Sequence, residues 1–408
     1  MRSNSSGIFS LATASILAAL VFGCAAERPK ADMSPWASYL HDPSRTNAAS
    51  EGPRMPLVLS WAKDVPEITF IDVFPREQIS SPVISDGVLY VGSENAKFYS
   101  LKLASGRVYW KYDAGYPIEA PPSVEGGTVC FGANNGVMRC FDKAEGRELW
   151  SFQARSEILS SPVIHDGRLY FSSSDDRVYS LSLKDGARLW TYNRSTFQTV
   201  APRVYSSPAF FDGKLYQLFS DGNLVCLSAD TGKDLWSAKV LKDFNQPSGV
   251  RRTPLVGNGL VYVIGDSQNV VALDASTGEA RNSFGLIKAR DFVLHGARAM
   301  VIAGSDRIIS VDRLSGEILW KKELEFNPVS SIFVAGDTLF VLSNYTRDPL
   351  GLNIFAKTKG RIEALRLSDA GTLWGHDLYS TASANASTAE SHVAVLTDKG
   401  VIDVFGPK

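Results

Sequence analysis

A glycine and a tryptophan four residues apart recur along the chain, at Gly106 and Trp110, Gly146 and Trp150, Gly186 and Trp190, Gly232 and Trp236, and Gly316 and Trp320. A further Leu-Trp pair closes a unit at Trp374. Self-similarity at a period of roughly 40 residues means one supersecondary unit copied many times, none of which buries its apolar face alone. The copy from Ser160 to Trp190 reads as four short strands. Ser160 to Ile164 leads into the turn His165-Asp166-Gly167, Arg168 to Phe171 returns, Val178 to Leu183 alternates with period two, and Lys184-Asp185-Gly186 turns the chain into an outer strand ending at Trp190. Four strands per 40-residue copy predict an all-β chain of propeller blades.

Counting copies predicts eight blades of four antiparallel strands. Between Trp236 and Trp320 lies a copy without its tryptophan, Thr253-Pro254-Leu255 through Ala272 to Gly278, ending near Phe284. The last copy, Asn385 to Phe405, has only three strands, and Pro56 to Trp61 supplies the fourth from the other end of the propeller. The N- and C-terminal strands are thus expected to share the last blade of an eight-bladed β-propeller over residues 57–408, closing the ring without an open edge.

Ahead of the repeats, Arg2 is followed by the apolar run Ile8 to Phe22 and then Val21-Phe22-Gly23-Cys24. Residues 1–23 read as an export signal. The last four resemble a bacterial lipobox, which implies that Cys24 is lipidated and holds the protein on a membrane through acyl chains. Ala25 and Ala26 lack the aspartate that retains lipoproteins at the inner membrane, so the resemblance implies the periplasmic face of the outer membrane. Residues 24–56 are rich in Pro, Ala and Ser and read as anchor and tether, with Trp36, Tyr39 and Leu40 packing back on the propeller rim.

The formal net charge of -1 and the absence of a basic run argue against nucleic acid as a partner. His41, His165, His295, His376 and His392 are scattered without ligand spacing, and there is no nucleophile elbow or phosphate loop. No catalytic residue, metal or cofactor is expected. Cys130 and Cys140 flank the hairpin Ala133 to Gly136, which permits a cross-strand disulfide. Cys140 also falls in a column occupied elsewhere by Ser100, Ser180, Cys226, Ala272 and Ser310, so a requirement for a small residue is the preferred explanation and the disulfide the alternative.

Loop growth is one-sided. First-to-second and third-to-fourth turns are tight, as at Asp86-Gly87 and Thr231-Gly232, whereas the crossovers 61–82, 190–208 and 236–254 are long. The insertion 343–360 adds Tyr345, Leu350, Leu352, Ile354 and Phe355 beside Arg347, Lys357 and Lys359. All of these open on one face of the ring. Apolar and aromatic loops on a rigid scaffold are where partners bind.

Ala272-Leu273-Asp274-Ala275-Ser276-Thr277-Gly278 and Asp230-Thr231-Gly232-Lys233-Asp234-Leu235-Trp236 resemble the repeat of pyrroloquinoline-quinone (PQQ) enzymes and their non-enzymatic relatives. An eight-bladed lipoprotein with this blade order is similar to the BamB-like scaffolds, and Arg290 to Leu294 resembles the opening of their sixth blade. The resemblance implies a non-enzymatic outer-membrane scaffold that assists assembly and insertion of β-barrel proteins, with a BamA-like barrel-assembly subunit and nascent barrel proteins as partners. It places partner contacts on Val200-Ala201-Pro202-Arg203, where this chain keeps the arginine and one aliphatic but has proline at the second leucine of the family's segment. The family's acidic pair falls on Gly249 and Arg251, a charge reversal. The alternatives are a PQQ-dependent dehydrogenase, which the absence of adjacent cysteines disfavours, and a periplasmic ligand-binding propeller.

Overall fold

The structure, a computed structural model, describes residues 36–65, 80–194, 206–242, 250–284, 287–347 and 357–408. The repeats fold into eight antiparallel sheets with their strands in chain order. Blade 1 consists of Val83–Ser85, Val88–Gly92, Lys97–Lys102 and Val108–Asp113. Blades 2 to 7 occupy 123–153, 163–193, 209–239, 255–283, 289–323 and 329–377. Blade 8 takes Ser387–Ala389, His392–Leu396 and Val401–Pro407 from the end of the chain, and Leu57–Asp64 pairs antiparallel with Val401–Pro407 as its outer strand. First strands of adjacent blades lie against one another, that of blade 8 against that of blade 1, so they form the inner wall of a closed ring.

The repeated glycine and tryptophan turn out to belong to a joint between blades. Trp61, Trp110, Trp150, Trp190, Trp236 and Trp320 each reach the third-to-fourth turn of the following blade and donate the indole N–H to a main-chain carbonyl there. Trp110 bonds Lys143 O at 3.0 Å, Trp150 bonds Leu183 O at 2.8 Å, and Trp190 bonds Ala229 O at 2.9 Å. The ring then lies on the turn glycine. A Cβ on Gly186 would sit 2.6 Å from Trp150 Cε3, and its φ of +71° belongs to the left-handed region. The small column is explained by the same contact, because Ser100, Cys140, Ser180, Cys226 and Ser310 each pair directly with their own blade's tryptophan.

The Ser-Pro and Thr-Pro signatures stitch the inner wall. Ser161 N donates to Ser207 Oγ at 2.9 Å, Ser207 N to Thr253 Oγ1 at 3.2 Å, and Asn385 N to Ser81 Oγ at 3.1 Å. Each hydroxyl satisfies a buried backbone donor of the preceding blade.

The stretch read as a tether departs from that expectation. From Trp36 onward it is packed, and it lies inside the ring rather than on its rim. Trp36 O accepts Ile84 N of blade 1 at 2.9 Å and Ala37 O accepts Val124 N of blade 2 at 2.7 Å. Pro43 O and Ser44 O accept Phe210 N of blade 4 and Val256 N of blade 5, at 2.7 and 2.9 Å. Thr46 O and Asn47 O accept Leu294 N of blade 6 and Val334 N of blade 7, at 3.0 and 3.1 Å. Ala48–Ala49 then pairs parallel with Val329–Ala335 before the chain reaches Leu57. A segment this short that touches inner strands around the ring must run within it. The physical reason is that every inner strand presents a row of unpaired N–H groups to the axis, and buried donors need partners. Trp36, Leu40, Arg45 and Asn47 are accordingly at most 1% exposed. We call residues 36–52 the strap.

Candidate protein-docking face

Second-to-third hairpins and crossovers open on the same face, and blade 7 carries its largest described elaboration. Strands Thr338–Arg347 and Lys357–Arg366 have ten residues each, against five to seven in the second and third strands of the other blades, so their hairpin projects. Its base is braced by groups from three segments. Tyr345 is half-buried, packs edge-on to Phe326 with ring centroids 4.9 Å apart, and donates its hydroxyl to Asp377 Oδ2 at 2.9 Å. Arg361 lies 4.2 Å over the Phe326 ring and donates to Asp377 Oδ1 at 2.7 Å. Burial alone would raise the Asp377 pKa, but the bonds from Arg361 and Tyr345 outweigh it and hold the carboxyl below its ordinary value. Asn344 exchanges two hydrogen bonds with the main chain of Ala382 on the crossover into blade 8. Two residues beyond Asp377 stands Tyr379, 72% exposed. A stiff hairpin root with an exposed tyrosine beside it suits contact with another protein, since aromatic anchors dominate interface energetics.

Of the residues assigned to partner contact, Tyr345 is in this cluster. Val200, Arg203, Leu350, Leu352 and Phe355 lie outside the described residues, as does Cys24. Phe326, Asp377 and Tyr379 escaped the sequence reading because they come from flanking segments that only the fold brings to the hairpin, and Arg361 because it lies one residue past the insertion 343–360. Cys130 and Cys140 face each other across adjacent strands of blade 2, with Cα atoms 4.1 Å apart, while Cys226 is a buried free thiol. Burial pushes the Cys226 thiol up to about 12.

Beneath this face the strap meets a buried ion pair. Arg251, at the end of the crossover into blade 5, pairs with Asp291 of blade 6, and both contact the strap residue Tyr39 electrostatically. Burial raises the Asp291 pKa to about 6, against the pull of Arg251 and the Phe292 N–H. A carboxyl whose folded pKa lies above its ordinary value near 3.8 binds its proton more tightly in the fold. Its contribution to stability is fully present below pH about 4 and is lost as pH rises through about 6, a difference on the order of 3 kcal/mol. Asp291→Asn is expected to flatten the fall in stability between pH 4 and 6.5, as read by urea unfolding. Parallel pH profiles for both proteins would refute the assignment.

A quinone stacked at the ring centre would have to share that space with the strap. The axis is taken by the strap, whose carbonyls occupy the inner-strand donors. Among the described residues no group of three or more His, Cys, Asp or Glu is placed to hold a cation. No helix among the described residues is long and apolar enough to cross a membrane.

Solved structures with the same ring include BamB from Moraxella catarrhalis, 15% identical, with a TM-score of 0.67 over 86% of this chain and 100% of that one. Others are the quinohemoprotein alcohol dehydrogenase from Comamonas testosteroni, 13% identical with a TM-score of 0.71 over 93% and 82% of the two chains, and the computationally designed Ika8 protein, 13% identical with a TM-score of 0.67 over 81% and 97%. At these identities the likeness shows the fold alone. No curated protein sequence matches the chain. The family profile described as outer membrane protein assembly factor BamB matches residues 59–157, 120–289 and 286–406, which together span every blade. The chain therefore belongs to the BamB family of PQQ-like β-propellers.

Proposed function

We propose that this protein is a non-enzymatic scaffold, anchored by a lipid on Cys24 to the periplasmic face of the outer membrane, that assists assembly and insertion of β-barrel proteins through protein contacts. The observation that carries the reading is the one-sided elaboration of a ring whose profile is that of the assembly factor. A ring centre filled by its own chain supports a role at the rim over chemistry on the axis. The docking side chains are Tyr345 on its braced hairpin together with Val200, Arg203, Leu350, Leu352 and Phe355, and the partner is the barrel-assembly subunit. A photo-crosslinker at position 203 or 345, introduced in intact cells, is expected to recover that subunit. Recovery of no assembly component from either site, with normal barrel-protein levels after deletion of the gene, would sink the reading. Labelling with an alkyne fatty acid tests the anchor separately, since signal must disappear in Cys24→Ala.

In an oxidising compartment we propose that Cys130 and Cys140 are bridged. Closing a loop of this size is worth about 3 kcal/mol in the chain-entropy account. Alkylation of the unfolded protein before reduction is expected to label Cys226 alone. Label on Cys130 or Cys140 at that stage would show the pair unbridged.

A further inference from the structure

The strap does more than fill a channel. Its polar side chains extend along the axis to the points where the crossovers of the docking face end and the inner strands begin. Arg45, fully buried, spreads its guanidinium over four carbonyls from three places. Nε donates to Pro208 O at 3.1 Å, Nη2 to Ser161 O at 3.1 Å and Pro162 O at 3.0 Å, and Nη1 to Tyr39 O at 2.6 Å. Pro208 ends the crossover into blade 4, and Ser161 and Pro162 end the crossover into blade 3. Ser44 Oγ adds a bond of 3.1 Å to Phe210 O, again in blade 4. Tyr39 lies under the Arg45 guanidinium at 5.7 Å, accepts from Asn385 Nδ2 at 3.3 Å where the crossover into blade 8 ends, and neighbours Arg251 where the crossover into blade 5 ends.

A filler needs only volume. This segment instead holds Leu40, His41, Arg45 and Asn47 in the left-handed region, with φ of 58°, 76°, 63° and 59°, none of them glycine. Such conformations persist only where surrounding contacts over-determine them. Here the over-determination serves to direct Tyr39 and Arg45 at the crossover ends.

We propose that the strap is a positioning element for the docking face, with Arg45 and Tyr39 setting the ends of the crossovers into blades 3, 4, 5 and 8 from inside the ring. The proposal rests on the docking reading for what those crossovers do, but not for how they are held. Because the strap follows directly on the tether, the same segment that leads to the proposed anchor also sets the geometry of the face offered to the partner.

The test is hydrogen exchange on the full-length protein, comparing wild type with Arg45→Lys and Tyr39→Phe. Lysine keeps the charge but lacks the planar fork that serves several carbonyls at once. Arg45→Lys is expected to speed exchange at least tenfold in peptides containing Ser161 and residues 206–211, with the outer strands Arg188–Asn193 and Ile318–Glu323 unchanged. Tyr39→Phe, which removes one hydroxyl and leaves the fold intact, is expected to speed exchange at residues 384–387 and 250–253. Unchanged exchange at these sites, or a uniform rise in every blade, overturns the proposal. Crosslinking to the barrel-assembly subunit from position 345 is then read in the same variants. Localised loosening with unaltered crosslinking leaves the brace standing and removes the docking role, whereas unaltered exchange removes the brace whatever the partner does.

Discussion

Arg45→Ala is expected to cost about 4 kcal/mol, because it strips partners from four main-chain carbonyls in a place without access to water. Arg45 is 0% exposed, and burial lowers its pKa only to about 10, so it is charged at every physiological pH. Its value lies in geometry as much as charge. The fork ties the strap to blades 3 and 4, and the loss falls on contacts of very large sequence separation. In guanidinium unfolding the midpoint should move sharply down with little change in slope. A shift corresponding to less than about 1 kcal/mol would mean that solvent or a neighbouring donor replaces the guanidinium, and the axis would have to be wetter than described.

Trp150→Ala is expected to cost about 3 to 5 kcal/mol, the range for removing a large buried aromatic. Trp150 is 8% exposed, lies on Gly186 and is bonded to Leu183 O, so truncation opens a void at the junction of blades 2 and 3 and orphans a carbonyl. Gly186→Ala attacks the same joint from the other side, since its Cβ would meet the indole at 2.6 Å on a backbone with φ of +71°. The two changes share one contact and should be strongly non-additive. Trp150→Ala is expected to relieve most of the steric part of the Gly186→Ala penalty and none of the backbone part. Additive costs in the double mutant would show that the two residues do not form one joint.

That joint illustrates how far the repeat was legible. The spacing of glycine and tryptophan announced a periodic four-stranded unit, and the three-strand final copy with its missing strand upstream announced closure. Both depend on local pattern, alternation and turn chemistry, which the chain carries in plain order. The partner of Trp110, Trp150, Trp190 and Trp236 is a glycine in the next copy. A period counted within copies does not reveal that pairing. The small column at Cys140 was visible as a column, yet its cause, direct pairing with the outer-strand tryptophan, needed the register.

The strap was misread for a related reason. Residues 36–52 have no period, and their three Ser and three Ala give the look of a linker, because the main-chain carbonyls that hold the segment to the inner wall leave no side-chain pattern. Only Trp36, Tyr39 and Leu40 hinted otherwise, and nothing local separates an aromatic packed on a rim from one packed on an axis. In the same way, Phe326 and Asp377 have nothing in common with Tyr345 until the crossover into blade 7 and that blade's outer strand meet at the hairpin root.

What the residues decided alone is the strand, the turn and the number of copies, since these rest on alternation and on glycines that tolerate positive φ. What only the closed ring decided is which groups meet across blades, where the first strand's free edge finds its acceptors, and hence that the axis is taken up by the chain itself. Closure brings together residues hundreds of positions apart, and main-chain hydrogen bonding, which any sequence offers, leaves no mark in the composition by which to foresee it.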